Sequence, residues 1–157
     1  MLITDVVNTN EPLSFLVGAG ISIEPPAGLA PADSIIHGII KKFSAPVYRS
    51  RLEGLHNIRY EALIQIFQDC FDMNLNILDY FIQDSLPNSI HQFLASMIAQ
   101  GQFVMTTNFD LLIEKALSKI EVVGEYVSVI TPEDYEKYSH PQNNFANNLY
   151  CLYKLHV

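Results

Sequence analysis

Short apolar runs alternate along the chain with segments of helical periodicity. Runs of strand length and composition occupy residues 14–18, 103–106, 126–130 and 149–157. We expect the first run to be fully buried and the last to alternate between two faces. Apolar residues recur at intervals of three and four in other segments, which predict helices. One helix is predicted to begin near residue 33, and the others lie at residues 55–71, 75–82, 88–100 and 111–120.

The segments between these elements have the composition of turns. Residues 23–32 contain four Pro or Gly and are predicted to be loop, as are residues 139–148. Between these loops, Thr131 and Pro132 predict the start of another helix. Strands separated by helices predict an α/β fold, with a Rossmann-like parallel sheet and helices on both faces. We expect a single domain over residues 1–157, with a helical insertion at about residues 45–87.

Three polar clusters follow predicted strands, at residues 18–22, 106–110 and 154–156. In parallel sheets ligands bind at the carboxyl ends of the strands, so we expect the clusters to converge. In the first cluster Gly18 and Gly20 permit close approach of a pyrophosphate, although Ile23 stands where the dinucleotide fingerprint has a third glycine. A tight turn without a ligand explains the same glycines.

The second cluster, TTNFD, places Thr106, Thr107, Asn108 and Asp110 after a strand. Asn and Asp side chains bind ribose hydroxyls, a carboxamide or a positioned water, but either residue also begins a helix by ordinary capping. In the third cluster His156 is a candidate general base, because a histidine pKa of about 6.5 lies near working pH. For His91 we favour a helix-face or capping role.

The charge and the cysteine content of the chain exclude some classes of partner and binding site. The 157-residue chain has 17 acidic and 9 basic side chains and a formal net charge of -8, which argues against nucleic acid and anionic membranes as main partners. Cys70 and Cys151 are too few and too far apart for a metal knuckle or a disulfide framework. Without a signal peptide or a membrane-length apolar run, we expect a cytoplasmic protein.

In this order the three clusters resemble the sirtuin family of NAD-dependent enzymes. GAGIS resembles the family's phosphate loop. The family's Pro-Asn-x-x-His helix and the T-Q-N-I-D strand after it resemble the segment PNSIHQFLASMIAQGQFVMTTNFD, and the strand of its catalytic histidine resembles YKLHV.

The resemblance implies a sirtuin-type NAD-binding domain with NAD as substrate. It places Gly18, Ala19 and Gly20 at the pyrophosphate and Ser22, Asn108 and Asp110 at the nicotinamide and ribose. Thr106 and Thr107 would adjoin the cofactor, and His156 would be the base. It implies no metal for cleavage of the nicotinamide–ribose bond.

The departures from the family pattern favour NAD hydrolysis over deacylation. Thr107 replaces the usual glutamine, and residues 23–32 lack the G-x-x-D-F-R run of protein deacylases. Both changes resemble the divergent bacterial branch, whose members often occur in anti-phage defence proteins. Val157 replaces the glycine that usually follows the histidine, and the sequence stops there. Because the family's zinc cysteines and the second half of its nucleotide-binding sheet follow the histidine, we expect an N-terminal portion truncated after the histidine strand, carrying half of the NAD site.

Three hypotheses therefore remain at this stage. The first is an NAD hydrolase domain, complete in a longer parent protein and impaired in this portion, in which Asn108, Asp110 and His156 act on the substrate. The second is a non-catalytic nucleotide-sensing or assembly module, in which apolar helix faces pair chains into a homo-oligomer. The third is an NAD-dependent protein deacylase.

Overall fold

The described strands form a single parallel sheet. The computed structural model describes residues 12–54, 60–73 and 85–155. Its strands are β1 (Ser14–Val17), β2 (Phe103–Thr106), β3 (Glu125–Val129) and β4 (Leu149–Lys154). The sheet order is β1-β2-β4-β3, and all three pairings are parallel. The predicted α/β fold is confirmed.

Seven α-helices and one short 3₁₀ helix (Ala19–Ser22) accompany the sheet in the described part of the chain. The α-helices are α1 (Ala32–Phe43), α2 (Pro46–Glu53), α3 (Tyr60–Cys70), α4 (Ser89–Ala99), α5 (Leu112–Leu117), α6 (Pro132–Lys137) and α7 (Pro141–Ala146). None of the described helices is long and apolar enough to cross a membrane. The helix predicted at residues 75–82 and the first five residues of the one predicted at 55–71 lie outside the described residues.

Strand β4 lies at the centre of the core. Tyr150 and Leu152 pack with apolar residues of α4 and α5 on one face of the sheet. Cys151 and Tyr153 pack on the other face with Tyr135 of α6. All residues of β4 after Leu149 are buried, so the strand does not alternate between a buried and an open face. Parallel strands covered by helices on both sides are apolar throughout for this reason.

Strand β1 is an outer strand of the sheet formed by the described residues, and the prediction that it is fully buried is wrong. It pairs with β2 on one side, and Leu16 is 66% exposed. Its apolar composition resembles that of a central parallel strand, and the sequence pattern alone does not separate the two positions.

Two helices were not predicted. Helix α7 lies within residues 139–148, which were expected to be loop. Helix α2 begins at Pro46, in the part of the expected helical insertion where the sequence pattern predicted no individual helix. Both begin with proline at the first helical position, where its fixed φ favours the helix and its missing N–H costs nothing. Helix α2 has no buried residue, so no apolar periodicity marks it in the sequence.

Gly101 directly follows Gln100, the C-cap residue of α4. Its φ is +81°, and a Cβ at this position would lie 2.8 Å from the Phe145 ring. Both the backbone conformation and the close packing of α7 therefore require glycine here.

Candidate functional site

The carboxyl ends of β1, β2 and β4 lie side by side. Val17 pairs with Thr106, and Thr106 pairs with Lys154. The segments that follow β1 and β2 therefore leave the sheet at the same edge, and Lys154 reaches this edge from β4. The predicted convergence of the strand ends is confirmed for the described residues, while His156 lies outside them and its role stays a prediction.

A buried hydrogen-bond network joins three predicted site residues. Ser22 Oγ donates to Asp110 Oδ2 at 2.8 Å. Asn108 Nδ2 donates to Ser22 Oγ and to Asp110 Oδ2, at 3.2 Å each. The three side chains are at most 5% exposed. Residues from two strand ends, 86 and 88 positions apart in sequence, thus form one polar cluster.

His91 completes the network from helix α4. Its Nδ1 accepts a hydrogen bond from the backbone N–H of Asn88, whose side chain accepts in return from His91 N, which makes a capping box. Because Nδ1 is an acceptor, Nε2 carries the proton of the neutral ring. The Nε2–H group donates a hydrogen bond to Ser22 Oγ, with 3.1 Å between the two heavy atoms. His91 therefore has the capping role and also a second one, the fixing of Ser22.

The directions of these bonds decide what Ser22 does. In a Ser-His-Asp triad the imidazole accepts the serine proton. Here the serine proton points to Asp110, and the imidazole is a donor to the serine oxygen. Burial lowers the pKa of His91, and the negative charge of Asp110 opposes that shift without cancelling it. The arrangement supports a positioning role for Ser22 rather than nucleophilic catalysis.

The lowered pKa of His91 predicts a pH-dependent stability. The unfolded chain, with a histidine pKa of 6.5, binds a proton more readily than the folded protein. We expect the free energy of unfolding to fall as pH decreases below about 6.5, by at most about 1.4 kcal/mol per pH unit from this residue, until the folded pKa is passed. Urea unfolding between pH 5 and 8 measures it. His91→Gln keeps a donor and an acceptor without titrating, and an unchanged pH dependence in that variant would contradict the assignment.

Asn108 Oδ1 is a buried acceptor without a donor among the described residues. The neighbouring amide nitrogen has two acceptors, which fixes the orientation of the side chain and leaves the oxygen as the unsatisfied atom. An unpaired buried polar atom costs about 1–3 kcal/mol, and native structures contain few of them. A ligand that brings an N–H or O–H donor satisfies it.

The two threonines of this cluster have different surroundings. Thr106 is 1% exposed, and its Oγ1 accepts from Asn108 N at 3.0 Å. It therefore shapes the turn that presents Asn108. Thr107 is exposed, and its backbone N–H donates to Val17 O at 3.1 Å. Its Oγ1 would lie 3.3 Å from a Cβ at Gly18, which places Thr107 beside the glycine turn.

Asp110 and Lys154 connect the site to α5. Asp110 Oδ1 accepts from the first backbone N–H of that helix, on Leu112, at 3.0 Å, so Asp110 satisfies one free N–H of the helix although Leu111 is its N-cap residue. Lys154 is 3% exposed, and its Nζ donates to Asp110 O and to Glu114 Oε1, both at 2.8 Å. The burial of this ammonium was not predicted, and its only sequence signal is a lysine at the end of an apolar strand.

Neither a metal cluster nor a relative assigns chemistry to this site. The described residues contain no group of three or more His, Cys, Asp or Glu that could hold a metal ion. No protein-family model matches the chain, and no curated protein matches it significantly.

Proposed function

We propose that this chain carries an NAD site at the carboxyl ends of β1 and β2, where NAD is hydrolysed to nicotinamide and ADP-ribose. The observation that carries the proposal is the buried Asn108 Oδ1, which lacks a donor among the described residues. The carboxamide of nicotinamide and the ribose hydroxyls are donors of the required kind. The order and spacing of the three sirtuin-like motifs support NAD over other ligands with such groups.

Gly20 supports the proposal independently. A Cβ at Gly20 would meet no atom within 4 Å, and the residue does not have a left-handed φ. In contrast to Gly101, its fold environment does not require glycine. Ala19 and Gly20 are exposed, so their backbone is accessible to a pyrophosphate, whose close approach a side chain would block.

The proposed chemistry begins with cleavage of the bond between ribose C1′ and the nicotinamide nitrogen. The bonding electrons move to the nitrogen and neutralise its positive charge, which leaves an oxocarbenium-like sugar. A water molecule then attacks C1′ and loses a proton, for which the resemblance assigns His156 as base. The fixed Asp110 carboxylate, held by donors from Ser22 and Asn108, stabilises positive charge on the sugar.

Substitution of Gly20 by alanine tests this site directly. We expect Gly20→Ala to weaken NAD binding at least tenfold while stability stays the same or rises by about 0.4–1 kcal/mol, because alanine fits the turn. Calorimetric titration with NAD measures the first and urea unfolding the second. Gly38→Ala in α1, where a Cβ also meets no atom within 4 Å, is the matched control and should leave NAD affinity unchanged. Equal NAD affinity of all three proteins, or no NAD binding, would contradict the proposal.

A non-catalytic assembly module is the second candidate. It is favoured by Leu16, which is 66% exposed on the outer strand β1. Nicotinamide release distinguishes the two candidates, because a module that only binds NAD produces none.

A further inference from the structure

An open apolar cavity lies away from the sheet, between helices α1, α2 and α3. Its volume is about 500 Å³, which is within the range of small-molecule sites. Its lining is almost entirely apolar and includes Ile39, Ile40, Ala45, Leu52, Leu63 and Phe67. The cavity therefore suits a hydrocarbon group.

Three phenylalanine rings form one wall of this cavity. Phe43 lies 4.9 Å from Phe67 and 5.5 Å from Phe71, measured between ring centroids. Phe43 is 41% and Phe71 is 61% exposed, so the wall remains accessible from the surface. Apolar rings exposed around a concave surface are typical of a binding site.

Basic side chains lie on two of the three helices that form the cavity. Helices α1 and α2 carry Lys41, Lys42, Arg49 and Arg51 together with Asp33 and Glu53, and α3 carries Glu61 and Asp69. Arg51 lines the cavity, and Lys42 Nζ lies 5.7 Å from the centre of the Phe43 ring. Lys41 and Lys42 lie in the last turn of α1 and Arg51 in the last turn of α2, where the helix dipole favours basic side chains, and of these three Arg51 lines the cavity.

Arg49 adds an unsatisfied donor beside the cavity. Its Nη2 donates to the backbone oxygen of Ser44, a lining residue, at 3.4 Å. Its Nε is buried and has no acceptor among the described residues. A guanidinium group binds carboxylate with two parallel hydrogen bonds, so a ligand with an anionic group fits this side of the cavity.

We propose that this cavity binds a long-chain carboxylate, with the hydrocarbon chain against the phenylalanine wall and the carboxylate near Arg49 and Arg51. The site is separate from the proposed NAD site and does not depend on it. An anionic bilayer would also match the basic charge. The concave apolar volume favours a single inserted chain, because a bilayer surface meets convex apolar residues rather than filling a cavity.

Titration calorimetry of the whole chain with sodium laurate, below its micelle-forming concentration, tests the proposal. We expect one laurate per chain, weaker binding of the neutral analogue dodecanol, and loss of binding in Ala45→Trp, which fills the cavity from an exposed position. We expect Arg51→Glu to weaken laurate binding about tenfold. Lys119→Glu, with the same charge change at another exposed position, is the matched control and should have no effect.

Several outcomes would overturn the inference. Absence of saturable laurate binding is one, and equal affinity of Arg51→Glu and Lys119→Glu is another. Binding only to vesicles of anionic phospholipid, with no binding of monomeric laurate, would assign the patch to membranes instead. Because Arg51 is exposed, its substitution keeps the test valid even where Ala45→Trp fails to fold.

Discussion

Substitution of Ser22 by alanine is expected to lower the free energy of unfolding by about 3 kcal/mol. The hydroxyl group donates to Asp110 and accepts from His91 and Asn108. Alanine leaves the Nε2–H of His91 without an acceptor and Asp110 Oδ2 without its shortest hydrogen bond. Each unsatisfied buried group costs about 1–3 kcal/mol, and the loss is measured by urea unfolding.

Ser96→Ala is the matched control for this substitution. Ser96 Oγ donates only locally, to Gln92 O one turn earlier in α4, and alanine is the better helix former. We expect a change of less than about 0.5 kcal/mol. If Ser22→Ala were no more destabilising than Ser96→Ala, the Ser22 hydroxyl would not hold the site together.

Substitution of Asn108 by alanine is expected to reduce nicotinamide release by a factor of about 10²–10⁴, which is typical for the loss of one well-placed catalytic group. Its unsatisfied Oδ1 is the atom assigned to the substrate. Stability should change far less than the rate, because the two bonds made by Nδ2 are 3.2 Å long and Asp110 retains Ser22. Chromatography of nicotinamide after incubation with NAD measures the rate.

Asn147→Ala controls for the loss of an amide. Asn147 is exposed, and its side-chain Nδ2 donates to Asn143 O in α7 at 2.8 Å, away from the site, so release should be unaffected. Unchanged release in Asn108→Ala would show that Asn108 has no role in cleavage. If the native chain released none while still binding NAD through Gly20, hydrolysis would be contradicted for this chain and nucleotide binding would remain.

The site residues that could be predicted from the sequence are those at the carboxyl ends of neighbouring strands. Thr106 and Asp110 could be placed at one edge of the sheet, because strand-ending residues of a parallel sheet share that edge. The outer position of β1 could not be predicted, since strand order depends on packing of distant segments. The contact between His91 and Ser22 could not be predicted either, because the two residues are 69 positions apart in sequence. The spacing of Asn88 and His91, in contrast, is that of a capping box.

The burial of Lys154 shows a second limit. Lysine at a strand end is normally solvated, and nothing near it in sequence indicates a partner. Its partners, Asp110 and Glu114, lie 44 and 40 residues earlier. Charge pairing over such distances follows only from the assembled fold.

The sheet order has a consequence for the time at which the site forms. Strand β4 is the last described strand to leave the ribosome, yet it lies between β2 and β3. Until it arrives, β3 has no paired strand in the described sheet, and the peptide oxygen of Asp110 lacks the ammonium of Lys154. Pairing of β3 in the described sheet and the contact of Lys154 with Asp110 therefore both wait for the synthesis of β4, and the contact closes a loop of more than 40 residues.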